Sequence, residues 1–243
     1  MNRFGFLKVA AAVPHVRIAD CDYNAQHITE LIRKGADRGA SIILFPELCI
    51  TSYTCGDLIQ QPALLHAAEQ ALGYILAQTR ELPIVAIVGM PVTYGNALYN
   101  CAVVFAQGRI HGVVPKTYIP NYSEFYEARH FTAAPVGCTS VTWQDGTTVP
   151  FGTDLLFTCK TMPGLKVAAE ICEDLWTPNP PSVCHAMHGA TVIVNLSASD
   201  EVTGKDSYRR DLVKIQSGRL VCGYIYASAG EGESSTDLVF GGH

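Results

Sequence analysis

The order of apolar runs along the chain is the feature that most constrains its fold. Strand-length apolar runs alternate with amphipathic helical segments in the N-terminal third, give way to hairpin-like strand pairs, and then alternate again. This order favours two sheets with helices on their outer faces. We therefore predict one α/β domain over residues 1–243, built as a four-layer α-β-β-α sandwich.

The individual elements can be placed from periodicity. Strands are predicted at 6–13, 41–45, 83–90, 98–106, 110–114, as two short runs around 149–157, and at 165–171, 191–196, 221–227 and 237–240. Helices are predicted at 20–38, 62–82, 178–189 and 205–220. The last strand runs into a glycine pair and the sequence then stops, which would leave an unpaired sheet edge. We therefore expect this chain to be a C-terminally truncated part of a longer polypeptide.

Three reactive side chains follow predicted strands. Glu47 and Lys116 each come after a proline that closes an apolar run, and Cys172 directly follows the run 165–171. Because α/β folds collect their chemistry at strand ends, these positions are candidates for a common site. Each residue also has an ordinary interpretation: Glu47 as a loop carboxylate, Lys116 as a surface lysine and Cys172 as an inert buried thiol.

These residue types suit amide hydrolysis through a cysteine. That reaction needs a thiolate, a base to manage protons, and a positive or N–H-rich pocket for the oxyanion. Glu47 is predicted to take the thiol proton. Lys116 is predicted to stand beside the thiolate and lower the pKa of Cys172. The backbone N–H of Glu173 would complete the oxyanion hole.

Composition and charge exclude several classes of protein. The net charge of −5 argues against a nucleic-acid or anionic-membrane surface, and no apolar stretch reaches transmembrane length. The nine cysteines are scattered without a C-x-x-C pair, which suits a reducing cytoplasm. No further candidate ligands lie at the spacing of a zinc site from His185 and His188, so we predict no metal site.

Three segments resemble, in order and spacing, the catalytic motifs of the nitrilase, or carbon–nitrogen hydrolase, superfamily: Phe45-Pro-Glu-Leu48, Pro115-Lys-Thr-Tyr118 and Glu170-Ile-Cys-Glu-Asp174. The resemblance covers nearly the whole chain. It implies the α-β-β-α sandwich and a catalytic triad of Glu47, Lys116 and Cys172. It also implies a second glutamate eight residues past the lysine, Glu124, which we expect to hydrogen-bond Lys116 or the substrate amide. The alternative for Glu124 is a carboxylate in the first turn of a helix.

Further segments resemble one branch of that superfamily, the glutaminase domains of glutamine-dependent NAD synthetases: 51–58, 121–127, 173–176, 195–199 and 235–242. The resemblance implies hydrolysis of L-glutamine, with Tyr122, Glu173 and Ser199 lining the substrate pocket. On charge grounds Glu173 is the natural partner of the α-ammonium group. Arg209 and Arg210 are left open as partners of the α-carboxylate, since a solvated helix face explains them equally well.

In that branch, ammonia passes to a C-terminal ATP-dependent domain that amidates deaminated NAD. The phosphate loop of such a domain, Ser-Gly-Gly-x-Asp-Ser, does not occur in this sequence. The resemblance therefore implies no cofactor for these residues, with ATP and Mg²⁺ confined to a synthetase domain elsewhere in the same polypeptide, and a homo-oligomer. Two alternatives remain: a free-standing amidase or carbamoylase of the same superfamily, and a non-catalytic scaffold domain of this fold.

Overall fold

The computed structural model describes residues 5–143, 145–233 and 237–243. The strands are β1 (Val9–Ala11), β2 (Ile42–Leu44), β3 (Val85–Tyr94), β4 (Ala97–Ala106), β5 (Arg109–Pro115), β6 (Cys138–Thr142), β7 (Thr148–Gly152), β8 (Phe157–Cys159), β9 (Met162–Ile171), β10 (Val192–Ser197) and β11 (Gly223–Ser228). The helices are α1 (Cys21–Asp37), α2 (Pro62–Thr79), α3 (Pro181–Met187) and α4 (Lys205–Leu220). Short 3₁₀ turns cover Gly56–Gln60, Glu127–Arg129 and Cys172–Leu175.

The strands form two sheets. One has seven strands in the order β1-β2-β3-β4-β5-β7-β6, and the other has four in the order β11-β10-β9-β8. Strands β1, β2 and β3 are parallel, as are β9, β10 and β11, whereas β3, β4 and β5 run antiparallel as consecutive hairpins. The turn between β4 and β5 has positive φ at Gln107 and Gly108, the backbone that a two-residue hairpin favours.

Alternation along the strands sorts side chains between layers. In β2, Ile43 packs in the cluster formed with α1 and α2, whereas Ile42 and Leu44 pack against side chains of the four-stranded sheet. Helices α3 and α4 cover the outer face of that second sheet, where Ile193 and Cys222 lie in a smaller cluster. The predicted α-β-β-α sandwich is thus confirmed, and the largest block of buried apolar side chains lies between the seven-stranded sheet and its helices.

Most predicted elements are present, with three differences. The strand expected at 6–13 narrows to β1, and β6 was not predicted because four of its five residues are exposed and carry little apolar pattern. The strand expected at 237–240 forms a single bridge between Phe240 and Asp200. This segment pairs with the loop after β10 and with the end of β11, since Glu201 N donates to Val239 O (2.7 Å) and Ser228 N donates to His243 O (2.6 Å). The motif beginning at Ser235 lies partly outside the described residues.

Local signals account for the helix ends. The Asp20 side chain accepts a hydrogen bond from Tyr23 N and caps α1, and α2 begins at Pro62, which fits a first helical turn because that N–H would have no partner. Helix α4 ends where Val221 adopts positive φ. Across the described ranges, no helix is both long and apolar enough to cross a bilayer.

Candidate active site

The three predicted triad residues lie at the strand ends expected for them. Glu47 follows β2 and Lys116 follows β5 in the seven-stranded sheet, whereas Cys172 follows β9 in the facing sheet. Lys116 Nζ lies 2.7 Å from Glu47 Oε1, and the Cys172 thiol is within electrostatic range of both groups. All three side chains are buried. The sandwich therefore brings a carboxylate, a cation and a thiol together between its sheets.

Backbone crowding fixes the loop that carries Glu47. Leu48 adopts φ +50°, and a Cβ added at Gly89 in β3 would fall 2.3 Å from Leu48 N, so only glycine admits this close approach. Ala198 N donates to Glu47 Oε2 (2.9 Å), and Asn100 Nδ2 donates to Oε1 (2.6 Å). Both carboxylate oxygens are thus held by donors from neighbouring strands or loops.

Burial sets the protonation behaviour of Glu47. It raises the pKa of the carboxyl group to about 7, although the Lys116 charge acts in the opposite direction. A general base works best with a pKa close to the working pH, because it must both accept and return a proton. Glu47 therefore has the protonation equilibrium that such a role needs.

Lys116 is fully buried between two carboxylates. Its Nζ donates to Glu47 Oε1 (2.7 Å) and to both oxygens of Glu127 (2.7 and 2.9 Å). Burial acts to lower the pKa of Lys116, but the charges of Glu127 and Glu47 outweigh it and hold the pKa well above its ordinary value. The site therefore keeps a fixed cation beside the thiol.

Cys172 occupies a strained turn. Its φ is +42°, where β9 passes into the 3₁₀ turn, and its N–H donates to Asn195 Oδ1 (3.2 Å). Burial raises the pKa of the thiol, while Lys116 acts to lower it. Lys116 thus acts in the predicted direction but does not outweigh burial, so the thiol is protonated at rest and needs a base during attack.

A buried aspartate ties the lysine loop to the cysteine turn. Asp174 accepts hydrogen bonds from Ile171 N (2.9 Å), Tyr118 N (2.8 Å) and Thr117 N (3.1 Å). These bonds link the segment after Lys116 to the turn that carries Cys172. Sequence analysis assigned Asp174 no role beyond its place at the end of the motif Glu170-Ile-Cys-Glu-Asp174.

Among the described residues, no hydrogen bond joins Glu124 to Lys116, which is one of the two contacts expected for it; the other, with the substrate amide, stays a prediction. The second carboxylate on Lys116 belongs to Glu127, which also accepts from Tyr53 Oη (2.8 Å), whereas Glu124 makes no ion pair with Lys116 in the part of the chain that the structure describes. The segment after Lys116 turns back on itself, since Glu127 N donates to Pro120 O (3.1 Å). This turn adds residues between Lys116 and the glutamate that contacts it. The glutamate therefore lies further along the chain than a spacing of eight residues from Lys116 would place it.

Glu124 instead lines a neighbouring cavity of about 330 Å³. Tyr53, Glu127 and His130 also line this cavity, together with Leu48 from the loop after β2. The cavity therefore adjoins the triad on the Glu127 side.

Two of the three predicted substrate residues, Tyr122 and Glu173, lie at a more open edge of the site. We call this edge the mouth, and it comprises Tyr122, Phe125, Glu173, Trp176 and Lys205. Tyr122 is 52% exposed, and its hydroxyl donates to Glu173 Oε2 (2.9 Å). Burial, and then the bond to Glu173, raise the pKa of Tyr122. Burial also raises the pKa of Glu173, which Lys116 and Lys205 act to lower.

Lys205 supplies a cation at the mouth that sequence analysis missed. Its Nζ lies 5.4 Å from the centre of the Trp176 ring and 5.8 Å from that of Phe125, and it pairs with Asp200. The residue was recognised as the start of α4, but nothing in the sequence alone places that helix end beside Glu173. The mouth therefore carries charges of both signs.

The two arginines left open earlier have other partners. Arg209 is buried, donates to Ser199 Oγ (3.3 Å) and pairs with Glu201, whereas Arg210 is exposed and bonds Asp206. Ser199 itself is buried, and its N–H donates to Ser228 Oγ (3.1 Å). Ser199, the third predicted substrate residue, is thus a buried side chain that Arg209 contacts. Within the described ranges there is no group of three side chains that could hold a metal ion.

Known proteins resemble this chain along almost its whole length. A protein described as a glutamine-dependent NAD(+) synthetase from Mycobacterium tuberculosis is 42% identical over 238 residues, which cover 98% of this chain and 35% of that protein. A human protein of the same description is 34% identical over 233 residues, covering 91% of this chain and 32% of that protein. The chain thus spans about a third of the length of these curated relatives.

Solved structures show the same likeness. A glutamine-dependent NAD(+) synthetase from Cytophaga hutchinsonii superimposes with a TM-score of 0.85 at 29% identity, covering 96% of this chain and 37% of that one. An amidase from Nesterenkonia sp. shares the fold with a TM-score of 0.73 at 18% identity. The sequence pattern of carbon-nitrogen hydrolases matches residues 8–243. With the sandwich and the three strand-end motifs, this match shows that the chain belongs to the carbon-nitrogen hydrolase family.

Proposed function

We propose that this chain hydrolyses L-glutamine to glutamate and ammonia through a thioester on Cys172. The observation that carries the proposal is the buried contact of Lys116 with Glu47, beside a thiol and next to a mouth with charges of both signs. The relatives described as glutamine-dependent NAD synthetases support glutamine as the substrate.

The reaction follows from the positions of the three side chains. The Cys172 sulfur attacks the side-chain amide carbon of glutamine, and its proton passes to Glu47. Lys116 and the N–H of Glu173 stabilise the oxyanion. Glu47 returns the proton to the leaving nitrogen, which departs as ammonia and leaves a γ-glutamyl thioester. Water, deprotonated by Glu47, then attacks the thioester, and the thiol is restored as glutamate leaves.

The mouth suits the free amino-acid end of glutamine. The Glu173 carboxylate complements the α-ammonium group, and the Lys205 ammonium complements the α-carboxylate. Tyr122 holds Glu173 by its hydroxyl, and the Phe125 and Trp176 rings border the cation. A simple aliphatic amide has neither charge, so this arrangement favours glutamine over acetamide or propionamide.

We propose that the released ammonia is used by an ATP-dependent synthetase domain of the same polypeptide. That domain would amidate deaminated NAD and hold the ATP and Mg²⁺. The one-third coverage of the relatives supports this assignment. We further propose a homo-oligomer in a reducing cytoplasm. All nine cysteines fall within the described residues and are free thiols, which supports such a compartment.

The test is an ammonia-release assay on the purified protein. L-Glutamine should be hydrolysed, acetamide and propionamide should be poor substrates, and a diazo-ketone analogue of glutamine should label Cys172 alone, as read by mass spectrometry. Faster release from acetamide than from glutamine would instead favour a free-standing amidase. A Cys172→Ala variant with undiminished ammonia release would overturn the proposal.

A further inference from the structure

Asn100 is a buried polar residue in the middle of the otherwise largely apolar strand β4. Its Nδ2 donates to Glu47 Oε1 (2.6 Å) and more weakly to Glu127 Oε2 (3.4 Å). Its backbone oxygen accepts from Lys116 N (2.8 Å). One residue thus contacts the proposed base, the proposed cation and the second carboxylate.

The orientation of the Asn100 amide is set by its neighbours. Both are carboxylates, which when ionised accept hydrogen bonds and cannot donate them, so the NH₂ group must face them. This leaves Asn100 Oδ1 buried, with no hydrogen-bond partner among the residues that the structure describes. A buried polar atom without a partner costs stability, and a leucine of similar size would avoid that cost. Packing therefore does not account for an asparagine here.

The charge balance around Lys116 does account for an asparagine at position 100. Glu47 and Glu127 both lie within 3 Å of one buried ammonium group, so the cluster contains two potential negative charges and one positive charge. In such a dry site the unbalanced charge favours protonation of one carboxyl group. A hydrogen bond donated to a carboxylate stabilises its ionised form. Asn100 gives its shorter bond to Glu47.

We propose that Asn100 is a positioning residue of the triad, whose amide fixes Glu47 and Glu127 on either side of Lys116 and keeps Glu47 in the ionised form that can accept the Cys172 proton. The inference rests on the proposed glutaminase reaction and adds a requirement to it. No hydrogen bond joins the Asn100 side chain to Glu173, Lys205 or Tyr122 among the described residues, so Asn100 acts on turnover and not on glutamine binding.

Asn100→Leu tests the proposal by removing both donated bonds at nearly constant size. We expect the acid limb of the pH profile of kcat/KM to move upward by about one pH unit and kcat at pH 7 to fall about ten-fold, with KM within about two-fold. Active sites are counted with the diazo-ketone analogue, so that loss of folded protein is not mistaken for loss of turnover.

Asn24→Leu is the matched control. Asn24 is also fully buried, but its side chain bonds only backbone atoms of Arg17 and Ile50. Its variant should lose thermal stability and keep the pH profile. A purely structural Asn100 would behave in the same way.

Asn100→Asp keeps the size of the side chain and is the second test of the proposal if the leucine variant does not fold. A third carboxylate beside Glu47 should move the acid limb upward further than the leucine does. An unmoved acid limb, with kcat per active site within about two-fold of the parent in every Asn100 variant that folds, would overturn the inference. Cys172→Ala, assayed alongside, separates the two proposals. Its inactivity would leave glutamine hydrolysis standing, whereas residual full activity would remove the reaction on which the Asn100 inference rests.

Discussion

The buried triad and the mouth lie side by side, yet they are held in different ways. Lys116 makes three hydrogen bonds to two carboxylates and is inaccessible to solvent, whereas Tyr122 is half exposed and bonded to Glu173 at a single point. The triad is carried by strand ends of both sheets, and the mouth is carried by loops and a helix end. The comparison teaches that strand ends hold the proposed reacting groups, while loops and a helix end carry the groups proposed to bind the substrate.

Among the variants that test this comparison, Cys172→Ala should have the largest effect on activity. Because the proposed reaction passes through a thioester on Cys172, glutamine hydrolysis should drop by at least about 10⁴-fold. The thermal midpoint should change little, since the side chain loses one sulfur atom from a buried site. Ammonia release and calorimetry provide the two measurements. A residual rate above one per cent of the parent would contradict the assignment of the nucleophile.

Lys116→Met should damage both rate and stability. Loss of an oxyanion-stabilising group costs about 10²–10³ in rate, and the thiolate also loses its cation. Breaking a buried ion pair by removing one partner costs about 3–5 kcal/mol, because Glu47 and Glu127 are left uncompensated.

The matched control for this change is Lys214→Met at the exposed Lys214–Asp211 pair. It should change the unfolding free energy by less than about 1 kcal/mol. Denaturant unfolding compares the two variants. Equal destabilisation by both would show that the triad is not more tightly held than the surface.

Glu127→Gln and Glu124→Gln separate the observed partner of Lys116 from the expected one. Glu127→Gln removes a charge-assisted bond inside the cluster and should lower kcat about ten- to hundred-fold. Glu124→Gln should stay within about three-fold, because Glu124 makes no ion pair with Lys116 in the described part of the chain. Steady-state rates decide between them, and the reverse order would restore Glu124 as the second glutamate.

Lys205→Ala probes the mouth. We expect KM for glutamine to rise about ten-fold or more with kcat changed less, because the lost charge meets a part of the substrate that does not react. Stability should fall, because Lys205 pairs with the buried Asp200, which the variant leaves uncompensated. Arg210→Ala on the exposed face of the same helix is the control and should leave KM unaltered. A kcat effect larger than the KM effect in Lys205→Ala would place this residue in the reacting cluster.

Glu47 also imposes a pH dependence on the stability of the fold. Burial raises the pKa of Glu47 from 4.5 to about 7, so between these values the folded protein binds more protons at this site than the unfolded chain. This contribution makes stability fall as pH rises from about 4.5 to about 7 and level off above it. Glu47→Gln should remove that slope, as followed by denaturant unfolding at several pH values. An identical slope in parent and variant would show that the carboxyl group is not held in this way.

The sequence predictions were more accurate for residues at strand ends than for residues in loops and at helix ends. Glu47, Lys116 and Cys172 could be placed because each follows an apolar run, and a buried run that stops at a polar residue marks a strand end. The extra glutamate could not be placed by spacing, because the segment from Pro120 to Glu127 folds back before it reaches Lys116. Lys205 was missed for a related reason: a helix end carries no sequence signal of what lies opposite it.

The sequence by itself determined the alternation of strands and helices, the layered fold and the three strand-end side chains, since these depend on short-range apolar periodicity. Tertiary structure alone decided which carboxylate reaches Lys116, that Asn100 bridges the two glutamates, and that Lys205 stands near Glu173. Those contacts join residues from different strands, loops and helix ends. Their distances depend on how the two sheets pack and how the loops return, which no local pattern in the chain encodes.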